Sequence, residues 1–487
     1  MRRFMVILLL IIFCASLGPA ARADFTPGVP PGNFMGMVVR DPYYEWRTNP
    51  DFPNSTNRPF YDEMGRNLAA AGVKWVRMEM FAEETVESDA PSGFDLRGQV
   101  YLEKYRYFID IVAPRHGIKV LALLATPLVR QRPAGDATLY RFPGDTYGAG
   151  QYIDPERLED ALSVDPNTTP TCRPYGFTNP YMCIWLDNAF KVAKAFPYNP
   201  ATGSGIAAYE VLNEENRYLG GGGKGLKPDA VATLLTKFYR VFKVNGGPDG
   251  SFGAWRNDVQ IILGGLHPDR CDDCATGGIN DRQYLDAIYN TVAFENYAAG
   301  DVYPLDGVGY HPYPMEMRSG LVPEPSATSD LFRVPTRMSA MRAIMVQNND
   351  AEHKLWITEV GDRGAPRTVD PPADNERRQA NFLRSMYWML WRDREFVAHV
   401  FWFKYEDFAV PSDPRAVGTE NWGVVRLLPR PADQTCPQMV PAGQQTCEYE
   451  ANGTVQRFKL SYQTYQDIAE NGFQQYTTFI PMVTVQR

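Results

Sequence analysis

Residues 209–216 read Tyr-Glu-Val-Leu-Asn-Glu-Glu-Asn, and residues 355–361 read Leu-Trp-Ile-Thr-Glu-Val-Gly. In each, an apolar run carries a carboxylate to its end: Glu214 after Asn213 in the first, Glu359 in the second. A charge at such a place is costly unless it has a partner or a task. Two carboxyl groups facing one pocket can divide the work of breaking a glycosidic acetal. One protonates the leaving oxygen, while the other attacks the anomeric carbon or activates water. The proton donor must hold its proton towards neutral pH, through burial or a neighbouring like charge. The nucleophile must stay ionised, which calls for hydrogen-bond donors around it. Glu210, inside the first run, is a weaker candidate than Glu214, and Glu215 competes with Glu214 for the position facing the substrate.

The elements that must position these acids show in the rhythm of the chain. Short Val- and Ile-rich runs fall at residues 33–39, 73–80, 119–125, 206–212, 259–265, 306–311, 354–360 and 397–405. Their near-continuous hydrophobicity is that of strands buried on both faces. Between them lie helical patterns. Phe60, Met64, Leu68 and Ala71 share a face that stops at Gly72; Val231, Leu234, Leu235, Phe238 and Phe242 form a stripe that stops at Gly246 and Gly247. Residues 377–391 form a third pattern, and residues 459–468 follow the last run. This alternation is the pattern of an α/β protein with a (β/α)8 TIM barrel. An open doubly wound sheet is expected to show a Gly-rich turn after its first strand, where this chain has only Gly36. A bare barrel needs about 250 residues. The excess falls in long loops after strands 3, 6 and 8, at residues 127–180, 312–335 and 406–456. All three leave the strand C-termini, the face on which barrels carry their sites. Residues 406–456 leave room for a small second β unit.

At these positions the chain resembles the retaining glycoside hydrolases of clan A, the (β/α)8 superfamily of cellulases, mannanases and β-xylosidases. In that clan an Asn-Glu pair ends strand 4 and its Glu is the acid/base; Asn213 and Glu214 match it. A Glu ending strand 7 is the nucleophile, matched by Glu359. The resemblance implies that Arg77, in Val73-Lys74-Trp75-Val76-Arg77, supports the nucleophile and that Asn213 binds a sugar 2-hydroxyl. In His311-Pro312-Tyr313, it implies that Tyr313 bonds the nucleophile and His311 lines the sugar site. Phe401-Trp402-Phe403 stands where the clan places an aromatic platform, with Trp402 expected to stack on a pyranose. Lys459-Leu460-Ser461-Tyr462 resembles the start of the clan's last helix. The likeness runs in order over residues 33–470. Two departures stand out: Glu215 replaces the proline often found after the Asn-Glu pair, and Ala125-Thr126-Pro127 lacks the strand 3 His of many cellulase-type members. The second points to another branch, β-xylosidase-like among the choices. The implied activity is hydrolysis of a β-linked glycan or glycoside by double displacement, with a carbohydrate as the partner and no cofactor or metal.

Plainer readings stand beside these roles. Arg77 can close a salt bridge in the barrel, His311 and His267 can be core histidines, Trp402 can be barrel packing, and Tyr313 can be structural. Asp407 is a further possible sugar contact. A metal-dependent hydrolase needs His clusters at strand ends, whereas the histidines are His116, His267, His311, His353 and His399, with no ligand pair. A non-catalytic carbohydrate-binding barrel is the alternative function, and it calls for one carboxylate to be missing or blocked.

Residues 1–23 read as a secretory signal: Arg2 and Arg3, an apolar run over residues 5–13, then Ala21-Arg22-Ala23 for a signal peptidase. Residues 24–470 are expected to make the barrel domain and 471–487 a C-terminal tail with a short apolar run, Phe479-Ile480-Pro481-Met482-Val483. The mature chain, three arginines fewer, carries 46 basic and 57 acidic side chains, a net charge of −11. That charge argues against nucleic acid and anionic membrane surfaces. Six cysteines remain, and their spacing suggests local disulfides 172–183, 271–274 and 436–447 in an exported protein. Asn54, Asn167 and Asn452 lie in glycosylation sequons. Secretion and extracellular location predict that N-terminal sequencing of the exported chain reads Asp24-Phe25; an intact Met1 would contradict the signal.

Overall fold

The computed structural model describes residues 30, 32–39, 58–80, 105–125, 128, 180–216, 228–244, 258–268, 280–298, 303–314, 333–362, 372–406, 422–427 and 456–473. Eight strands follow one another: β1 Met35–Val38, β2 Trp75–Glu79, β3 Lys119–Leu124, β4 Ile206–Val211, β5 Gln260–Leu266, β6 Gly307–Tyr310, β7 Lys354–Val360 and β8 Val397–Trp402. Each pairs in parallel with the next, and β8 returns to β1, so the sheet is a closed barrel. Between them run helices α1 Arg58–Ala70, α2 Pro180–Ala195, α3 Pro228–Tyr239, α4 Asp281–Tyr289, α5 Val292–Ala298, α6 Val334–Gln347 and α7 Pro372–Arg392, and α8 Leu460–Asn471 follows β8. The connection from β2 to β3 is the π-helical segment Tyr107–Val112 continued by Ala113–Arg115. This is the (β/α)8 barrel that the alternation of runs predicts.

Strand and helix patterns have the same cause. Residues of β4 are buried on both faces because one face meets the barrel interior and the other the helix layer. The stripe Val231, Leu234, Leu235 and Phe238 of α3 is fully buried, as is Phe242 just beyond it. Gly72, at φ 80°, ends the turn after α1 in the left-handed region that suits glycine. Barrel closure is pinned by Tyr387 of α7 and Tyr465 of α8, whose hydroxyls both donate to the Gly36 carbonyl at 3.2 and 3.0 Å.

The barrel interior is a packed plug. Val38, Trp75, Leu121, Ile262, Trp356 and Phe401 form it, with Trp75 and Trp356 edge to face at 5.6 Å. His399 lies against both indoles, and burial lowers its pKa to about 4, so the imidazole stays neutral there. Among the described residues the interior below the strand C-termini is filled by this apolar cluster.

Of the three long loops, only residues 128 and 180, residues 312–314, 333–335, 406 and 422–427, and residue 456 are described. Within the last loop and just past it, strand β9 Val425–Leu427 pairs antiparallel with β10 Gln456–Phe458, a two-stranded ribbon. The signal segment, the glycosylation sequons, Asp407, the tail beyond residue 473 and the side chains of all the cysteines lie outside the described residues. No helix among the described residues is long and apolar enough to cross a membrane.

The plug makes a specific demand. Trp356→Ala should lower the unfolding free energy by about 3–5 kcal/mol through the cavity it leaves. Denaturant unfolding checks this, and a loss below about 1 kcal/mol would contradict a rigid plug.

Candidate active site

Arg77 of β2 is the centre of the rim, and it is 2% exposed. Its Nε donates to Glu210 Oε2 at 2.5 Å, Nη1 to Glu359 Oε1 at 2.5 Å, and Nη2 to Asn213 Oδ1 at 2.7 Å. Three strands are thus joined through one guanidinium: β2, the end of β4 and the end of β7. Burial works against its charge, but the carboxylates of Glu210 and Glu359 outweigh burial and hold its pKa above the ordinary arginine range. Glu210 has its other oxygen, Oε1, occupied by the Gly265 amide at 2.9 Å. It faces no solvent, so it supports the site and does not act on a substrate.

Asn213 and Glu214 sit in the tight turn that follows β4. Leu212 and Glu214 adopt left-handed backbone conformations, φ 73° and φ 51°, which are uncommon for residues with a side chain. The turn is held by Leu212 N to Leu124 O and Glu214 N to Gly265 O, both 3.0 Å. It is also held by Asn216, whose amide exchanges two 2.7 Å bonds with the backbone of His267. This geometry swings Glu214 into the mouth of the barrel. Its Oε1 lies 3.1 Å from His311 Nδ1, while His311 Nε2 lies 2.9 Å from Thr358 Oγ1. A threonine hydroxyl donates or accepts. The ring can therefore accept from a protonated Glu214 or donate to an ionised one, with Thr358 reversing its role. Glycine at 265 is required beneath this ring: a Cβ there would stand 2.0 Å from His311 Nε2.

Glu359 carries two donors of its own. Arg77 takes Oε1, and the Tyr313 hydroxyl donates to Oε2 at 3.2 Å. Burial first, then the Glu359 and Glu214 carboxylates, push the Tyr313 phenol well above its ordinary pKa, so it remains a donor. The reactive oxygens and nitrogen of Glu214, His311 and Glu359 all lie within 4.8 Å of one another. By spacing alone this trio could hold a cation. Both oxygens of Glu359 are already engaged, however, one by a guanidinium, so the arrangement fits hydrogen bonding and charge compensation better than metal ligation.

The structure brings together Arg77, Asn213, Glu214, His311, Tyr313 and Glu359. Trp402 does not join them, which corrects the sequence expectation of a sugar platform. It is fully buried, with its ring 6.0 Å from Phe382 of α7 in the helix layer. Side chains alternate along a strand, so the inward residues here are Phe401 and Phe403, and Trp402 faces outward between them. Phe403, half-buried, packs on the interior plug. Trp422 stands edge-on to both Phe403, at 5.6 Å, and Tyr313, at 5.9 Å. Gln379 of α7 fixes that wall by donating to the Trp422 carbonyl at 3.1 Å, and to those of Asp362 and Gly423 at 2.9 and 3.3 Å. Thr358, Trp422 and Gln379 carry no motif in the sequence. Trp422 lies in a long loop after β8, and its position there was the only signal available.

The shared guanidinium predicts a large stability effect. Arg77→Met removes the counter-charge of the buried Glu210 and the partly buried Glu359 and should cost about 3–5 kcal/mol by denaturant unfolding. A cost below about 1 kcal/mol would show that the acids do not depend on it.

No protein-family model matches the chain, and no curated protein matches it. Among solved structures, the chain is similar to a family 39 glycoside hydrolase from Bacteroides cellulosilyticus, with 16% identity and a TM-score of 0.45. That match covers 91% of this chain and 65% of the other, so the chain spans less than two thirds of that protein's length. It is also similar to a family 5 mannosidase from Rhizomucor miehei, at 12% identity and TM-score 0.47 over 90% and 93% of the two chains. A third is a family 10 endoxylanase from a sugarcane soil metagenome, at 12% identity and TM-score 0.44 over 90% and 97%. Likeness at this level adds no functional weight to the side chains described above.

Proposed function

We propose that the protein is a glycoside hydrolase that cleaves a β-linked O-glycosidic bond by a retaining double displacement. The observation that carries this reading is that one carboxyl oxygen of Glu214 and one of Glu359 lie within 4.8 Å of each other across the barrel mouth. Retaining enzymes hold their two carboxyl groups about 5–5.5 Å apart, whereas inverting enzymes leave about 6.5–9.5 Å for a water. The surroundings divide the roles. Glu359, with a guanidinium and a phenol as donors, is kept as the carboxylate and is the nucleophile. Glu214, paired with a histidine that accepts or donates, is the acid/base.

In the first step Glu214 gives its proton to the glycosidic oxygen while a Glu359 oxygen bonds to the anomeric carbon. The leaving group departs as an alcohol, and the sugar remains as an ester of Glu359. In the second step the Glu214 carboxylate takes a proton from water, and the resulting oxygen displaces Glu359 at the same carbon. Asn213 has its Oδ1 committed to Arg77, so its amide N–H groups are the part left to offer a sugar hydroxyl. Phe403 and Trp422 supply the aromatic surface. The identity of the sugar as β-linked, and export through residues 1–23, rest on the sequence.

Glu359→Gln should reduce kcat/KM by at least about 10³-fold while binding of the glycan persists. Glu214→Gln should reduce it by about 10²–10⁴-fold on alkyl glycosides and far less on aryl glycosides, whose leaving groups need no proton. Initial-rate NMR of the released sugar should show the anomeric configuration kept. Inversion, or full turnover by Glu359→Gln, would overturn the mechanism, and binding without any turnover by the native protein would favour a carbohydrate-binding barrel.

A further inference from the structure

Glu215, beside the proposed acid/base, takes no part in the chemistry above. It is 2% exposed, and among the described residues no other residue offers either of its carboxyl oxygens a hydrogen bond. Its chain neighbours are both anchored, Glu214 to the Gly265 carbonyl and Asn216 to the His267 backbone. The side chain therefore has no route to water unless the turn opens, and that turn already holds two left-handed residues, Leu212 and Glu214.

The charges acting on Glu215 are both negative: Glu210 from β4 and Glu214 beside it. The β5 end brings His267, gripped through its backbone, and the β6 end brings His311, engaged by Glu214 and Thr358. Arg77 is committed to Glu210, Asn213 and Glu359. Buried as it is, a carboxylate here would find no counter-charge among the described residues, whereas a carboxylic acid is tolerable.

We propose that Glu215 is a positioning residue for Glu214 that serves only as the neutral acid: protonated, it fills the space behind the turn, and its ionisation forces the turn open and withdraws Glu214 from His311 and Glu359. This rests on Glu214 being the acid/base. Burial first, then Glu210 and Glu214, raise the Glu215 pKa to about 8 against an ordinary 4.5, with its own backbone N–H opposing in part. The folded chain thus holds this proton to a higher pH than the unfolded chain. The group's contribution to stability is complete below the unfolded value, falls as pH rises, and is lost through the folded one.

The test compares the mature full-length protein with Glu215→Gln from about pH 5 to about pH 10, using an aryl glycoside that the native protein hydrolyses. At acidic pH the two should agree within about threefold in kcat/KM, and on the alkaline side the native enzyme should fall more steeply, by one proton, than the variant. The native Tm should decline between about pH 5 and about pH 8, and the variant's should decline less. Equal alkaline slopes with equal Tm profiles would overturn the proposal. If the variant does not fold, difference infrared titration of the native protein decides: a buried carboxylic-acid carbonyl band disappearing near the Glu215 value supports it, and no such band overturns it. The Tm and infrared readings do not depend on turnover, so a protein that hydrolyses no glycoside would defeat the functional reading while leaving the protonation of Glu215 measured.

Discussion

One positive charge organises the rim of this barrel. Arg77 reaches one buried acid, one partly buried acid and an amide from three directions, and each of its nitrogens has a separate acceptor. Lysine has no such fork, and a point charge could not fix the angle between the three partners. Because Glu210 and Glu359 share the same cation, neither is a free carboxylate in a poor solvent. Glu210 spends its second oxygen on the Gly265 amide, which ties β4 to β5 and fixes the height of Arg77. The position of Glu359, the proposed nucleophile, thus follows from an ion pair closed four residues before the proposed acid/base Glu214.

The same economy governs Glu214. Its placement depends on a turn with two left-handed residues, and such strain persists only where surrounding bonds over-determine it. Here they do: Leu124, Gly265 and His267 each contribute a backbone group. The plug of Trp75, Trp356 and Phe401 below gives this machinery a rigid floor. Aromatic surface at the rim comes from Phe403 and Trp422, with Gln379 linking the loop that carries Trp422 to the helix layer.

Much of this was legible in the chain. Strands buried on both faces leave continuous apolar runs, so the eight alternations could be counted. Charges at the ends of such runs, Glu214 and Glu359, stood out because an apolar strand tolerates a charge only for a reason, while Arg77 came from the family resemblance of its strand. What failed was resolution by one residue. Trp402 ends β8 and Phe403 follows it; the family resemblance put the platform at Trp402, whereas the alternation of side chains turns Trp402 into the helix layer and Phe403 toward the interior. Glu210 looked like a lesser acid because sequence shows no partner for it; its partner lies 133 positions earlier. Trp422 and Thr358 have no local pattern at all, since their roles exist only through contacts across the barrel mouth.

The central claim is that Glu359 attacks carbon while Glu214 handles the proton. The most direct measurement is incubation with an activated 2-deoxy-2-fluoro glycoside of the hydrolysed sugar, followed by peptide mass analysis. The account predicts inactivation with one sugar esterified to the peptide containing Glu359. A label on any other carboxylate, or continued turnover without a trapped ester, would contradict it.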